Sequence, residues 1–386
     1  MMQRYFSLVS FISVFLISSP VLSAPPEIPA GLLDEARNSF IFVFTDDVAA
    51  KDVPGLAKGL ATSVSGNVRK TFTASIKGFS ANMSATAAAN LAARNPHIAY
   101  FEQNGVASIP GSPSKANKGN GPKNPPATPP AQFTPWGITR VGGPKDGTNK
   151  TAWIIDSGVD TSNADLNIDR VRGRNFVGQA KKPNDIQDKN GHGTHVAGTL
   201  AAIDNNIGVV GVAENATIVP LRVFGASGQG FVDDIIEAVD YAAAMAAPGD
   251  VVNMSLTTNG LFDSLRDAVL ITADQGIKFA VCAGNDSDYA GNTDPARVDH
   301  ANVRTVSAID SNNTFASFSN YGNPPIDFAA PGVAVESYVL NGAIQSWDGC
   351  SMATPHVAGI MLFGEPNTDG VANQDPDSNP DPIAVF

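Results

Sequence analysis

The chain has 386 residues, 43% of them hydrophobic, and a formal net charge of −12: enough apolar mass for a proper core, and more length than one usual domain needs. The acid excess lies late, with 10 Lys+Arg against 7 Asp+Glu in residues 24–131 and 14 against 30 in residues 132–386. This balance argues against a nucleic-acid partner, and two cysteines alone, Cys282 and Cys350, argue against a disulfide scaffold.

Residues 1–23 read as a signal peptide. Arg4 gives a positive start, Phe6–Ile17 is an apolar run, and Val21, Ser23 and Ala24 supply the small residues of a cleavage site. The run is too short to span a bilayer comfortably, so the expectation is an exported protein with no membrane partner after cleavage. Residues 39–104 read as a small α+β unit. FIFVF (40–44) and IAYFE (98–102) are strand candidates, and SATAAANLAARNP (84–96) is a helix capped by Ser84 and stopped by Pro96. Residues 105–131 read as an exposed linker, because Gly111–Pro130 is dominated by Pro, Gly, Ser, Lys and Asn and can bury almost nothing.

From Gln132 to Phe386 short apolar strands alternate with longer helices. TAWIID (151–156), ATIVPLRVF (216–224), VVNMSL (251–256), IKFAVCA (277–283) and VRTVSAI (303–309) are the strands. THVAGTLAAI (194–203), FVDDIIEAVDYAAAMAA (231–247) and LFDSLRDAVLITADQ (261–275) are the helices. This alternation predicts an α/β fold: a parallel sheet with helices on both faces and its chemistry at the carboxyl ends of the strands. The acidic stretch DPDSNPDP (375–382) reads as a solvated tail.

Three residues stand at such strand ends or helix starts. Asp156 ends a strand in WIIDSGVD, His192 sits between glycines in NGHGTH, and Ser351 follows Gly349-Cys350 in GCSMATPHVAG. A serine hydroxyl is a poor nucleophile until a histidine takes its proton, and that histidine needs a carboxylate to fix its tautomer. A helix starting at Ser351 would aim its N–H groups at developing negative charge, with Pro355 in a tolerant first turn.

WIIDSGVD, NGHGTHVAGT and GCSMATPHVAG, in that order and spacing, resemble the subtilisin-like serine proteases, from about Gln132 to Phe363. PWGITRV (135–141) and FSNYG (318–322) lean toward the proteinase K-like branch, and KGFSANMS and PHIAYFEQ resemble the family's inhibitory propeptide. The resemblance implies a seven-stranded parallel sheet in a catalytic domain spanning 132–386, preceded by an inhibitory propeptide at 39–104. It implies a triad of Asp156, His192 and Ser351, with the Asn285 amide stabilising the oxyanion. Gly228, Gln229 and Gly230, and Ser255, Leu256 and Thr257, match two edge strands that pair with the backbone of a protein or peptide substrate. The implied protein is a secreted monomer, made as a zymogen that processes itself near Gln132.

Calcium is the implied cofactor. The resemblance places side-chain ligands at Gln132, Asp165 and Asn205 and carbonyl ligands at Ile203, Ile207 and Val209, an all-oxygen set suited to Ca²⁺. Asp327 with the carbonyls of Ala301 and Val303 is a second, weaker candidate. The chain also departs from the family. Cys350 stands where a threonine is usual, and the two cysteines are expected to stay as thiols beside an open site. Thr257 and Thr258 replace paired glycines and are expected to narrow the pocket for the side chain before the cut bond. Only 35 residues follow Ser351. Two rivals have other chemistry: a metal hydrolase using His192 and His195, which lacks an HExxH pattern, and a binding protein that kept the fold without catalysis. His195 and His356 read as hydrogen-bonded core residues.

Overall fold

The computed structural model describes residues 28–110, 130–178 and 182–386. The signal-peptide reading and Gly111–Pro129 of the linker lie outside the described residues.

The N-terminal unit runs α1 (Ala30–Arg37), β1 (Ser39–Phe44), α2 (Val53–Ser63), β2 (Asn67–Phe72), β3 (Gly78–Asn82), α3 (Ala85–Arg94) and β4 (Ile98–Gln103). Its antiparallel sheet has the order β2-β3-β1-β4. Phe40, Phe42, Phe44 and Phe79 pack against Val53, Ala57, Ala61, Ala88 and Leu91 to form its core. Ser84 caps α3, its hydroxyl accepting the Ala87 N–H at 3.2 Å. The next residues depart from the linker reading. Val106–Ser108 form strand β5, and Ile109 and Pro110 are buried. Apolar Val106 and Ile109 sit just before the Pro/Gly-rich run and have their own burial sites.

The larger unit continues with α4 (Trp136–Arg140), β6 (Lys145–Asp146), β7 (Thr151–Asp156), β8 (Arg174–Asn175), α5 (His192–Ala201), β9 (Ala213–Glu214) and β10 (Thr217–Arg222). Then come β11 (Gln229–Phe231), α6 (Val232–Met245), β12 (Val251–Met254), β13 (Thr257–Thr258), α7 (Asp263–Asp274), β14 (Lys278–Cys282) and β15 (Val303–Ile309). The chain ends with β16 (Ile326–Pro331), β17 (Val335–Tyr338), β18 (Ile344–Trp347), α8 (Cys350–Met361), β19 (Asn367–Val371) and β20 (Pro382–Val385).

The main sheet has nine strands, not seven, in the order β19-β20-β16-β15-β14-β12-β7-β10-β8. The seven from β16 to β8 are parallel; β20 adds to β16 in parallel and β19 closes the edge antiparallel. The extra pair flanks the stretch read as a solvated tail. Asp381 is fully buried there, with Ser307 donating to its carboxylate, and Ile383 and Ala384 enter the core.

Strands such as β12 and β14 are apolar nearly throughout because both sheet faces are covered. One face carries α5 and α8 around Val196, Leu200, Val357 and Met361. The other carries α6 and α7 around Ile235, Val239, Leu265 and Val269. Every residue of α8 is buried, so this helix is covered on all sides rather than amphipathic. Pro355 lies inside α8, not in its first turn. It cannot donate to the carbonyl of Ser351 four residues back. The Ser255 hydroxyl donates to that carbonyl instead, at 2.9 Å.

The N-terminal sheet sits on α6 and α7. Arg69 Nε pairs with Asp233 at 2.8 Å, and Lys70 Nζ with Asp234 at 3.1 Å and with Glu237. Asp240 accepts the backbone N–H groups of Thr73, Ala74 and Ser75. Glu102 accepts the first N–H groups of α7, from Asp263 and Ser264, and so caps that helix from across the interface.

Candidate active site

Asp156, His192, Asn285 and Ser351 come from four elements, all at the carboxyl edge of the sheet. Asp156 ends β7 and is fully buried, where its Oδ1 accepts the Ser157 N–H at 2.6 Å. His192 opens α5, and its Nδ1 lies 2.8 Å from Asp156 Oδ2 and 3.0 Å from Oδ1. A carboxylate accepts only, so Nδ1 carries the proton and Nε2 keeps its lone pair. Nε2 is buried with no hydrogen-bond partner among the described residues. The His192–Asp156 approach needs a residue without Cβ at 193, where a side chain would strike the Gly158 carbonyl and lie 3.1 Å from Asp156 Oδ1.

Ser351 is the second residue of α8, where backbone N–H groups have no partner within the helix. Its Oγ donates to the Ser255 carbonyl at 3.3 Å. Asn285 follows β14, and its Oδ1 accepts the Cys350 N–H at 2.9 Å. That bond fixes the amide so that Nδ2 is the end left for a ligand. Gly349, between the two, has φ +148, and a Cβ there would lie 3.1 Å from Asn285 Nδ2.

The cysteines are joined. Cys282 and Cys350 form a disulfide with Cα atoms 5.3 Å apart, which corrects the expectation of two thiols. Cys282 ends β14 and Cys350 opens α8, so β14–β15 pairing and α8 packing bring the pair within bridging distance. The bridge ties the strand that leads to Asn285 to the helix that carries Ser351. Cys350 therefore has no thiol to donate toward an oxyanion.

Several organising residues are not among those the sequence singles out. Asp188 is buried and accepts from Ser157 Oγ, the N–H groups of Asn190, Gly191 and Thr194, and the Thr194 hydroxyl. Burial raises its carboxyl above the ordinary range even so. Ser157 Oγ accepts the Gly193 N–H at 3.0 Å, so Asp188 and Ser157 brace the loop that presents His192. Trp347 stacks on His195 at 4.9 Å and lies 6.3 Å from His192. The signal available was a D-x-x-G-H-G spacing, but Asp188 looks like any loop aspartate until its five donors are seen.

His195 and His356 are core residues. His195 Nε2 bonds the Val335 and Gln345 carbonyls, and His356 Nδ1 bonds the Met352 carbonyl. Burial lowers His195 to about 3 and His356 to about 4, so both stay neutral at ordinary pH. His195 is committed to carbonyls and Trp347, while His192 is committed to Asp156. Among the described residues no group of three or more His, Cys, Asp or Glu is placed to hold a metal. The pair of histidines thus gives no support to a metal hydrolase.

The residues expected to pair with a substrate backbone, Gly228, Gln229, Gly230, Ser255, Leu256 and Thr257, lie on or beside β11 and β13. β5 runs antiparallel between those two strands in a three-stranded sheet. Thr258 turns its hydroxyl to the Gly260 and Asp294 carbonyls, so its bulk is tied to the loop.

The proposed calcium ligands also gather. Gln132 Nε2 donates to the Ile203 carbonyl at 2.8 Å, Asn205 Nδ2 donates to Asp165, and the Asn205 N–H reaches Gln132 Oε1 at 3.2 Å. Isolated bridges join Ala131 to Ile207 and Phe133 to Val209, which brings those backbones alongside. Asp165 also accepts from Tyr338, and burial raises its carboxyl. One partly desolvated carboxylate among amide and carbonyl oxygens is a donor set that fits a hard cation. Asp327 is less open: its Oδ2 accepts the Thr305 N–H at 2.8 Å, near Val303 on the same strand, and burial raises its carboxyl to about 6.

Comparison with known proteins gives the family. Residues 149–363 match the model of the Subtilase family. Subtilisin Savinase of Lederbergia lenta is 42% identical over 239 residues, covering 60% of this chain and 84% of its own. Alkaline elastase YaB of Bacillus sp. (strain YaB) is 41% identical over 240 residues, and the match spans 60% of each chain. Alkaline serine exoprotease A of Vibrio alginolyticus is 35% identical over 308 residues, 77% of this chain but 53% of its own length. Among solved structures, a cold-adapted subtilisin-like serine proteinase aligns with TM-score 0.53 and 35% identity, over 59% of this chain and 83% of that one. An epidermin leader peptide processing serine protease of Staphylococcus aureus shares the fold at TM-score 0.67 and 20% identity, over 84% of this chain and 88% of that one. The chain belongs to the subtilase family.

Proposed function

We propose that the chain is an exported serine endopeptidase, made as a zymogen that processes itself. The observation that carries this reading is the placement of His192: its Nδ1 is held by buried Asp156, and its Nε2 lone pair is left in a site that also holds Ser351. Ser351 Oγ adds to a peptide carbonyl as Nε2 takes its proton. Asn285 Nδ2 and the Ser351 N–H receive the oxyanion. The C–N bond then breaks, the amine leaves with the proton from Nε2, and an ester to Ser351 remains. Water, deprotonated by the same Nε2, hydrolyses that ester.

Residues 30–110 serve as the inhibitory propeptide on this reading, docked by Arg69 and Lys70 on the acidic first turn of α6. Processing near Gln132 would separate the units. No helix of the described residues is long and apolar enough to cross a membrane, and the signal-peptide pattern at 1–23 supports export. PWGITRV and FSNYG support a place in the proteinase K-like branch.

Calcium would be held by Gln132, Asp165, Asn205 and the Ile203, Ile207 and Val209 carbonyls, where its charge would pin the 203–209 loop against residue 132. Chelation is expected to lower the melting temperature of the Ser351→Ala chain by several degrees, and calcium but not zinc to restore it. The test of activity is hydrolysis of a peptide library and release of the mature chain, wild type beside Ser351→Ala. The variant is expected to show neither; unchanged processing in it would remove the reading.

A further inference from the structure

Pro355 leaves the Ser351 carbonyl without its helical N–H, and the Ser255 hydroxyl takes that place at 2.9 Å. Ser351 is tied back in turn, its Oγ donating to the Ser255 carbonyl at 3.3 Å. A third residue joins the pair: Asn253 Nδ2 donates to Ser255 Oγ at 2.9 Å. Asn253 lies on β12, inside the main sheet, where it faces Ile154 of β7 and Ala280 of β14. Val252 and Met254 turn to the face that α6 and α7 cover, so Asn253 turns to the face of α5 and α8. Asn253, Ser255 and Ser351 are all fully buried.

The direction of this chain of bonds is fixed. A hydroxyl has one proton, and Ser255 gives its own to the Ser351 carbonyl, so toward Asn253 it can only accept. The amide must therefore present Nδ2, which leaves Asn253 Oδ1 buried with no partner among the described residues. An orphaned buried acceptor is unfavourable, and a leucine would fill a similar volume without one. Packing alone gives no reason for an amide at this position; its N–H does.

We propose that Asn253 is a positioning residue for Ser351, acting through Ser255. Its N–H holds the Ser255 hydroxyl in one orientation, with the proton aimed at the Ser351 carbonyl. That closes the one turn of α8 that Pro355 leaves open, and so fixes the direction of Ser351 Oγ and of the Ser351 N–H. Without the amide the Ser255 hydroxyl turns freely, and the turn that carries Ser351 loosens. This inference rests on the reading of Ser351 as the nucleophile.

The test is the rate at which a serine-directed phosphonate labels Ser351, read by intact mass. Variant chains are cut by a trace of added wild-type chain, from which mass separates them. Asn253→Leu is expected to lower the maximal labelling rate about tenfold, the worth of one hydrogen bond, with the half-saturating concentration unchanged and the melting temperature no lower. Asn253→Ala takes its place if the leucine variant does not fold. Pro355→Ala returns the helical N–H to the Ser351 carbonyl, and Ser255→Ala removes the middle of the chain of bonds. Adding Asn253→Leu to either is expected to lower the rate by less than about twofold. Equal maximal rates in wild type and Asn253→Leu overturn the proposal, as does a loss that persists undiminished in the Ser255→Ala chain. A loss of rate that only follows a fall in melting temperature marks a structural role and overturns it too. Absence of Ser351 labelling in every chain, wild type included, overturns the protease reading on which the proposal rests.

Discussion

At α6 the N-terminal unit meets the larger unit through side-chain charge, with Arg69 on Asp233 and Lys70 on Asp234 and Glu237. At β5 the same unit meets it through backbone N–H and C=O groups, bonded on both edges. The first contact is specific to these residues and sensitive to charge. The second asks only for an extended chain, which is also the demand a substrate makes. On the proposed reading, a unit that docks by the first contact and inhibits by the second is selective through its side chains alone.

The largest effect short of removing the nucleophile is expected at the site itself. Asn285→Ala should lower kcat by about 10²–10³ with little change in KM if, as proposed, its amide meets charge that exists only in the transition state; the range is that of a relative's oxyanion asparagine. Steady-state kinetics on the processed chain checks this. Loss of the disulfide should come next. The bridge closes a separation of 68 residues, so Cys282→Ala/Cys350→Ala should cost about 2–4 kcal/mol in urea unfolding. It should also lower kcat by loosening the bond from the Cys350 N–H to Asn285 Oδ1 that holds Asn285 beside the start of α8.

Lys70→Met sharpens the comparison between the two contacts. It keeps the buried stem but leaves Asp234 and Glu237 facing no cation, at a cost of about 2–3 kcal/mol to the uncut Ser351→Ala chain. A variant of the solvent-exposed Lys58 should cost nothing measurable in the same unfolding assay.

The smallest effect lies far from both contacts. Burial lifts Asp381 to about 7, so the folded chain holds a proton there that the unfolded chain releases from about pH 4 upward. Stability therefore falls as pH rises from about 4 to about 7 and is flat above. Asp381→Asn should match wild type below about pH 4 and exceed it above about pH 7. A constant difference at all pH values would reject that explanation.

The residues of the site were legible because each sits in a local pattern that chemistry restricts: a strand-end aspartate, a histidine between glycines, a serine opening a helix. The helix α8 was legible too, but not its start, since Pro355 inside it depends on Ser255 from another strand to occupy the freed Ser351 carbonyl. The disulfide was not legible, because sequence separation says nothing of the 5.3 Å between the Cα atoms. β5 was hidden for a different reason. Three residues carry too little pattern to stand out beside a Pro/Gly-rich run, and their strand state is imposed wholly by β11 and β13. The C-terminal hairpin was hidden by composition: DPDSNPD reads as solvated, yet Ile383 and Ala384 just beyond it pull Asp381 inside.

On the proposed reading catalysis turns on one atom, Ser351 Oγ, acting through His192. Treating the processed chain, with the variants cut by added wild-type chain, with a serine-directed phosphonate and mapping the adduct by mass tests this most directly. The expected result is one adduct, on Ser351, formed with loss of activity and absent in Ser351→Ala and His192→Ala. Full peptide hydrolysis with Ser351 unlabelled, or undiminished labelling in His192→Ala, would contradict it.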